Sequence, residues 1–205
     1  IEGYLYLEVG ESIHLPFEDP VFDFSLLPKT GEKREVLLFA AQRDPVVEYG
    51  ELLESLKLKP ETADVSGLAF FRLFDHLSSG QGDENLLFIQ YDIDLVNMSI
   101  FENGAPFYMR HHLMPAGQNN WSMQMVDAEF RQYVYKGDEA ELAGRLAGVA
   151  KEVGRLIDFY QYSLNKGKKE LSKIVLTGDH PMLAVIANDL QTRFGIQSEV
   201  LQSPM

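Results

Sequence analysis

The chain has 205 residues, of which 45% are hydrophobic, so it is long enough to bury the core of one large domain or two small ones. Its net charge of −13 argues against nucleic-acid binding and membrane-surface binding, because such a surface repels phosphate backbones and anionic lipid headgroups. The absence of cysteine excludes disulfides and thiolate metal sites and is compatible with the cytoplasm. No apolar run approaches the roughly 20 residues that span a membrane as a helix, so direct membrane insertion is not expected.

The first part of the chain predicts the element order β-β-α-β-α, which is typical of a mixed α/β layer. Apolar and polar residues alternate from Phe22 to Leu26 as in a half-buried strand. Asp44-Pro45 is a favourable helix start, since it combines a carboxylate cap with proline at the first helical position. Residues 4–13 fit either a helix end or a strand. The further predicted elements are a partner strand at residues 35–41, a helix ending near Leu58, a third strand at Glu61 to Val65, and a phenylalanine-rich helix at Leu68 to Leu77.

Residues 78–83 form a linker, and a second set of elements follows it. Asn103-Gly104 predicts a tight hairpin turn, because both residues tolerate positive φ. Apolar residues in the segment Asp138 to Leu164 are spaced by four and three, which fits a core-facing helix and, alternatively, a coiled coil. The other predicted elements are strands at 86–93, 96–102, 105–112, 174–176 and 196–201, an irregular or strand-like segment at 122–135, and a helix at 182–194.

The order of several sequence pieces resembles the PilM family, the actin-like cytoplasmic proteins of type IV pilus assembly. The resemblance covers nearly the whole chain, and its more specific parts are a proline-phenylalanine entry at Pro16-Phe17, the helix segment at residues 156–160 and a VLTG strand-turn. The pieces are IHLPFEDPVFDFSLL, EVLLFAAQRDPVVEYGELLESLKLKPETADVSGLAFFRLF, LLFIQYDIDLVNMSIFENG, EVGRLIDFYQYSL and SKIVLTGDHPMLAVIANDLQTRFGI.

This resemblance implies an α/β fold that is part of the actin-like (FtsA- and PilM-type, ribonuclease H-like) architecture, with a small inserted β-β-α-β subdomain. Residues 1–77 would form the inserted subdomain together with a remnant helix of the first half. Residues 84–205 would form the second half. Because the chain starts at Ile1 with sequence of mid-protein character, we expect it to be a fragment that lacks the N-terminal subdomain.

The resemblance also places two degenerate nucleotide motifs. A phosphate hairpin would lie at Asp92, Asp94 and Asn97, but Asp94 stands where the family has glycine, whose bare backbone approaches phosphate oxygens closely. An adenosine turn would lie at residues 177–179, where Asp179 replaces a second glycine. We therefore expect no cofactor and no catalysis in this chain, with ATP and Mg²⁺ bound weakly at most, or only by a full-length protein. The residues of the second turn are Thr177, Gly178 and Asp179.

The partner that the resemblance implies is the cytoplasmic tail of a PilN-like inner-membrane protein. This tail would pack near the small subdomain, so Phe22, Phe24, Val36 and Leu38 are the predicted contact residues. The protein would then act as a cytoplasmic scaffold in pilus assembly or a related competence system, peripheral to the inner face of the membrane. Two alternatives stay open. One is an actin-like ATPase whose missing half supplies most nucleotide contacts, and the other is a nucleotide-free descendant that self-associates through its long helix.

Three residue clusters have a functional and a simpler structural interpretation. Asp92 and Asp94 would face the same side of an extended strand, either as an Mg²⁺ or acid/base pair or as a solvated strand end, and the second is favoured. His111 and His112 would point to opposite faces and cannot chelate one metal. Four methionines around Trp121 would form either an adaptable surface or core filling, which is the default. They are Met109, Met114, Met123 and Met125.

Overall fold

A computed structural model describes residues 2–15, 17–27, 36–77, 84–113, 120–125 and 131–201. The chain divides into two compact units, residues 1–63 and residues 64–205. Within the described ranges, no helix is both long and apolar enough to cross a membrane.

The first unit consists of a helix, a two-stranded hairpin and a second helix. Residues 4–13, which fitted helix or strand, begin as the helix α1 (Glu2–Glu8), and Tyr6 on this helix packs on Phe22 with 4.7 Å between ring centroids. Strands β1 (Pro20–Leu26) and β2 (Val36–Gln42) pair antiparallel, as predicted. Helix α2 (Arg43–Ser55) follows at once.

The predicted third strand at Glu61 to Val65 is wrong, because residues 58–65 adopt no regular structure and the hairpin remains two-stranded. Pro60 has no backbone N–H to give to a ladder. Asp64 further accepts a hydrogen bond from the backbone N–H of Val65 over 2.8 Å and pairs with Arg72. The segment therefore leads into the next helix instead of extending the sheet.

The second unit is built on a five-stranded mixed sheet. Strands β3 (Asn85–Tyr91), β4 (Leu95–Glu102) and β5 (Ala105–Leu113) form the predicted antiparallel set, and Asn103 and Gly104 make the turn between the last two with φ of 49° and 76°. The remaining elements of this unit are helix α3 (Ser66–Leu77), strands β6 (Trp121–Met125) and β7 (Arg131–Tyr135), helix α4 (Glu139–Asp158), strand β8 (Lys173–Thr177), helix α5 (Leu183–Phe194) and strand β9 (Gln197–Val200). The sheet order is β5-β4-β3-β8-β9, with β8 and β9 parallel to β3.

Helix α3 belongs to this second unit, which corrects the predicted division of the chain after residue 77. The ring of Phe71 stacks on Phe101 with 4.1 Å between centroids, and Phe74 meets Phe88 edge to face at 5.2 Å. These contacts bury the helix on one face of the sheet. The compact units therefore divide between Ala63 and Asp64, before the linker at residues 78–83, which lies outside the described residues.

Helices α4 and α5 cover the opposite face of the sheet. The side chain of Asp138 caps α4 by accepting a hydrogen bond from the Ala140 N–H over 2.7 Å. The predicted apolar stripe lies in the core against the sheet, so it serves as a core-facing helix and is not left open for a coiled coil. The helix continues as a π-helical turn at Phe159–Leu164. The buried stripe residues are Val149, Val153, Leu156 and Tyr160.

The irregular segment predicted at residues 122–135 contains an antiparallel hairpin made by β6 and β7. The expected methionine cluster does not form among the described residues. Met109 packs into the phenylalanine-rich cluster under α3, whereas Met123 and Met125 are exposed on β6. Met114 lies outside the described residues.

Candidate functional site

Two turns lie side by side at one end of the inner strands of the five-stranded sheet. One, at residues 92–94, joins β3 to β4, and the other, at residues 177–179, ends β8 and leads toward α5. Because β3 and β8 are parallel neighbours, with Gln90 opposite Thr177, their carboxyl ends lie at the same end of the sheet. The two motifs predicted as nucleotide-binding, far apart in sequence, are thus neighbours in the fold.

The two turns hold each other through reciprocal hydrogen bonds. The backbone N–H of Asp179 donates to Asp92 Oδ1 over 3.0 Å. The backbone N–H of Ile93 donates to Asp179 Oδ1, also over 3.0 Å. Each aspartate therefore binds the main chain of the opposite turn, and we call this pair of contacts the aspartate clasp.

Other backbone N–H groups of the turns are also satisfied within the protein. The N–H of His180 donates to the carbonyl oxygen of Tyr91 over 3.2 Å, and the N–H of Asp92 donates to the carbonyl oxygen of Leu95 over 2.8 Å. A phosphate-binding turn works by presenting such N–H groups to anionic oxygens. Together with the two N–H groups of the aspartate clasp, four N–H groups of the turns donate to acceptors within the protein, and none of these four is left for a ligand.

Gly178 has to be glycine in this arrangement. Its φ is +127°, and a Cβ built on it would lie 2.2 Å from the carbonyl oxygen of Tyr91 and 2.8 Å from Asp92 Oδ1. The second turn therefore approaches the first at a distance that no side chain at position 178 would permit.

Asp94 is accommodated without strain, although glycine was expected there. Asp92 and Asp94 lie in the turn between the end of β3 and the start of β4, so their predicted placement on an extended strand is wrong. Neither Ile93 nor Asp94 has a positive φ. This turn therefore does not require glycine, and a carboxylate replaces it at no conformational cost.

The carboxylates of the two turns affect one another. The pKa of Asp179 is raised above its ordinary value, chiefly because the turn is partly desolvated and then because the charge of Asp92 lies close. The hydrogen bond from Ile93 opposes this shift, and the charge of Asp94 adds to it. Ionised carboxylates repel a triphosphate unless a metal ion intervenes, and no group of three His, Asp or Glu side chains suited to a metal occurs in the described ranges.

A row of polar side chains extends from the aspartate clasp across the sheet. Gln90 Nε2 donates to Asp92 Oδ2 over 2.5 Å, and Asn97 Nδ2 donates to Gln90 Oε1 over 3.2 Å. Asn97 Oδ1 then accepts a hydrogen bond over 2.7 Å from Nδ1 of His111. The row fixes the His111 ring with its proton on Nδ1. From sequence alone Gln90 could be placed only on a strand, because the row depends on the register of three strands.

His180 lies buried behind the second turn, between two aromatic rings. Its centroid is 4.9 Å from that of Tyr91 and 5.2 Å from that of Trp121, and both rings meet it edge to face. Its Nδ1 accepts a hydrogen bond from the Met182 N–H over 3.2 Å. Burial lowers the pKa of His180 to about 4, so the ring is neutral at physiological pH.

The residues predicted to contact a partner lie together in the first unit. Phe24 pairs directly with Leu38 across the hairpin, Phe22 pairs with Ala40, and Val36 pairs with Leu26. Since directly opposite residues project from the same face of a sheet, all four predicted residues share one face. They are half-buried, and in the described ranges the outer edges of β1 and β2 pair with no further strand.

The family model for the type IV pilus assembly protein PilM matches residues 1–204 of this chain. Among solved structures, the chain is similar to a protein of the PilM-PilN type IV pilus biogenesis complex, with 18% sequence identity and a TM-score of 0.74. The match covers 98% of this chain and 61% of that one, so the chain spans less than two thirds of its structural relative.

A second solved structure, a Bacteroides thetaiotaomicron protein with an actin-like ATPase fold and unknown function, has 12% identity and a TM-score of 0.45. That match covers 98% of this chain and 60% of the other. A search of curated proteins found no match.

The mixed sheet with α3 on one face and α4 and α5 on the other, together with the match to the protein of the PilM-PilN complex, defines an α/β protein of the PilM-type fold. The match over nearly its entire length identifies the chain as a member of the PilM family of type IV pilus assembly proteins.

Proposed function

We propose that this protein is a cytoplasmic scaffold of type IV pilus assembly that binds the cytoplasmic tail of a PilN-like inner-membrane protein. Membership of the PilM family supports the pathway. The likeness to a protein solved in a PilM-PilN complex supports the kind of partner. The scaffold would lie at the inner face of the membrane through that partner.

The observation that carries this proposal is the shared face of the β1–β2 hairpin. Phe22, Phe24, Val36 and Leu38 present a half-buried apolar strip beside two strand edges that no other described strand covers. An extended peptide binds such a surface by adding backbone hydrogen bonds along an edge and by placing alternate side chains on the strip. The hairpin thus offers both main-chain and side-chain contacts.

Nucleotide hydrolysis is not part of this proposal. The aspartate clasp engages the N–H groups of Ile93 and Asp179 and holds the carboxylates of Asp92 and Asp179 against the two turns. The competing function, an actin-like ATPase whose other half supplies most nucleotide contacts, would have to open this clasp first. Binding and positioning require no such change.

The test measures peptide binding by two alanine variants of the hairpin, one on each of its faces. A fluorescent PilN-like tail is titrated with the protein that includes the first half of the fold, and its anisotropy is followed. Phe24→Ala should weaken binding. Phe39→Ala is the matched control, because Phe39 lies on the same hairpin, is also half-buried, and pairs with Asp23 on the opposite face. Equal losses for both variants would contradict the proposed face.

A further inference from the structure

A pocket of about 310 Å³ lies between the start of α3 and the β4–β5 side of the sheet. It is separate from the two turns and shares only Asn97 with the residues predicted for nucleotide. Polar groups reach it from the first turn of α3 and from neighbouring positions of β4 and β5. They belong to Ser66, Gly67, Asn97, Ser99 and His111, and Val65, Met109 and Arg110 complete the lining.

Ser99 is the unusual group in this pocket. Its side chain is 4% exposed, and its hydroxyl makes no hydrogen bond with any residue that the structure describes. The hydroxyl points at the first turn of α3, since a Cβ built on Gly67 would lie 2.5 Å from Ser99 Oγ. A buried polar group without a partner costs free energy, so an unpaired hydroxyl that lines a pocket indicates a ligand or water that completes it.

The start of α3 supplies donors beside this hydroxyl. The N–H groups of Ser66 and Gly67 precede the point at which a helix satisfies its own donors. The backbone hydrogen bonds of this turn begin with Leu68 and Ala69, which both donate to the carbonyl oxygen of Val65. A helix of 12 residues also places positive partial charge at this end.

The rest of the lining suits the same charge. His111 contributes a polar ring, whereas the Arg110 side chain leaves from the opposite face of β5, where its guanidinium lies 3.6 Å from Glu152 on α4. His111 turns its Nδ1 toward Asn97, which leaves Nε2 as its second polar atom. No carboxylate occurs among the described residues of the lining, in a chain whose net charge is −13.

We propose that this pocket binds a small oxyanion, a phosphate or carboxylate group, between the first turn of α3 and Ser99. The hydroxyl of Ser99 and the N–H groups of Ser66 and Gly67 would donate to the anion. The site is independent of tail binding by the hairpin, which belongs to the other compact unit. It uses none of the N–H groups of the aspartate clasp, although Asn97 and His111 of its lining belong to the polar row that reaches Asp92.

The test is an amide NMR titration of the full chain with sodium phosphate, sodium acetate and sodium chloride at matched ionic strength and pH. We expect saturable shifts at Ser66, Gly67 and Ser99 with phosphate or acetate, and the two arms identify which oxyanion is preferred. Ser99→Ala should weaken the affinity about tenfold, because it removes one hydrogen bond to a charged group. Ser163→Ala, a change of the same type at an exposed position outside the pocket, should bind like the wild type.

A second variant tests the site sterically. Gly67→Ala places a methyl group against Ser99 Oγ and should abolish the shifts. If this variant does not fold, Ser99→Ala still decides the question. The proposal is overturned if phosphate and acetate give no saturable shift, if chloride gives the same shifts, or if Ser99→Ala binds like the wild type. Shifts centred on residues 92–94 and 177–179 would also overturn it and would show that the two turns accept anions after all.

Discussion

Asp92 and Asp179 each accept a hydrogen bond from the backbone of the other's turn, over 3.0 Å in both cases. An aspartate at position 179 therefore does more than occupy the space of a glycine. Its carboxylate takes the N–H of Ile93, a donor that a phosphate-binding turn would need. The N–H of Ile93 is thus satisfied within the protein.

Asp179→Ala should lower the free energy of unfolding by about 1 kcal/mol, because the N–H of Ile93 loses its acceptor. Chemical denaturation at neutral pH measures the change. Asp189→Ala is the control, since Asp189 makes only an exposed helical ion pair with Arg193 and should cost less. Equal costs would mean that the aspartate clasp contributes no more than a surface pair.

Asp179→Asn should behave differently, because asparagine retains an acceptor oxygen and loses the charge. The pKa of Asp179 is raised in the folded state, so ionising this carboxyl at neutral pH destabilises the fold. The variant should be at least as stable as the wild type at neutral pH. The difference in free energy of unfolding between the variant and the wild type should shrink as pH falls through the pKa of Asp179, because the wild-type carboxyl then becomes neutral too. An advantage that grows on acidification would contradict this assignment.

Acid should destabilise the protein through His180. Its pKa is lowered by burial to about 4, against an ordinary value of 6.5, so the folded state resists protonation. The stability linked to His180 is complete above pH 6.5 and is lost as pH falls toward 4, by of order 3 kcal/mol at most. Denaturation curves across this range measure the fall. His14→Gln, a change at an exposed histidine, should leave this loss of stability unchanged. The ring resonances of His180 should titrate only near the lower end of this pH range.

Gly178→Ala should destabilise the fold by more than 2 kcal/mol, because the new methyl group meets the Tyr91 carbonyl and the backbone has a φ of +127°. Gly144→Ala is the matched control. Gly144 lies within α4 with open space around it, so alanine there should stabilise the protein by up to about 1 kcal/mol. Thermal unfolding of both variants measures effects of opposite sign. A well-folded Gly178→Ala protein would show that the two turns separate easily.

ATP with Mg²⁺ should give little or no binding heat when titrated into this chain. The reason is the engagement of the turn N–H groups together with the facing carboxylates. Asp94→Gly, which leaves the aspartate clasp in place, should not create binding. Micromolar affinity for ATP in the wild type would contradict the proposal and favour the ATPase alternative.

The features that could be predicted from sequence are those with local causes. Asn103-Gly104 requires positive φ and makes the expected turn, and the stripe from Val149 to Tyr160 faces the core as its spacing indicates. The strand predicted at Glu61 to Val65 failed, because a short apolar-polar alternation does not reveal that the Asp64 side chain already occupies the Val65 N–H. Pro60, which has no backbone N–H, already argued against strand pairing there.

The proximity of the two turns could be expected from the sequence, but their hydrogen bonds could not. The motifs at residues 92–94 and 177–179 were placed by resemblance, and the parallel pairing of β3 with β8 brings them together. The reciprocal bonds of the aspartate clasp depend on side-chain rotamers set by contacts distant in sequence. The row from Gln90 to His111 likewise needs the register of three strands, which no local pattern supplies.

The PilN-like tail should bind this chain weakly. It should bind more tightly to a longer protein that includes the first half of the fold. The β1–β2 hairpin offers the peptide one face and its two strand edges. A protein that adds a second face buries more peptide surface and should therefore bind more tightly. The −13 charge should favour a tail with basic residues, chiefly through its association rate, so added salt should slow binding more than it speeds release. Stopped-flow anisotropy at two salt concentrations measures both rates, and a tail with its basic residues replaced by glutamine is the control. Equal affinity for the two protein lengths would mean that the peptide site lies wholly within residues 1–205.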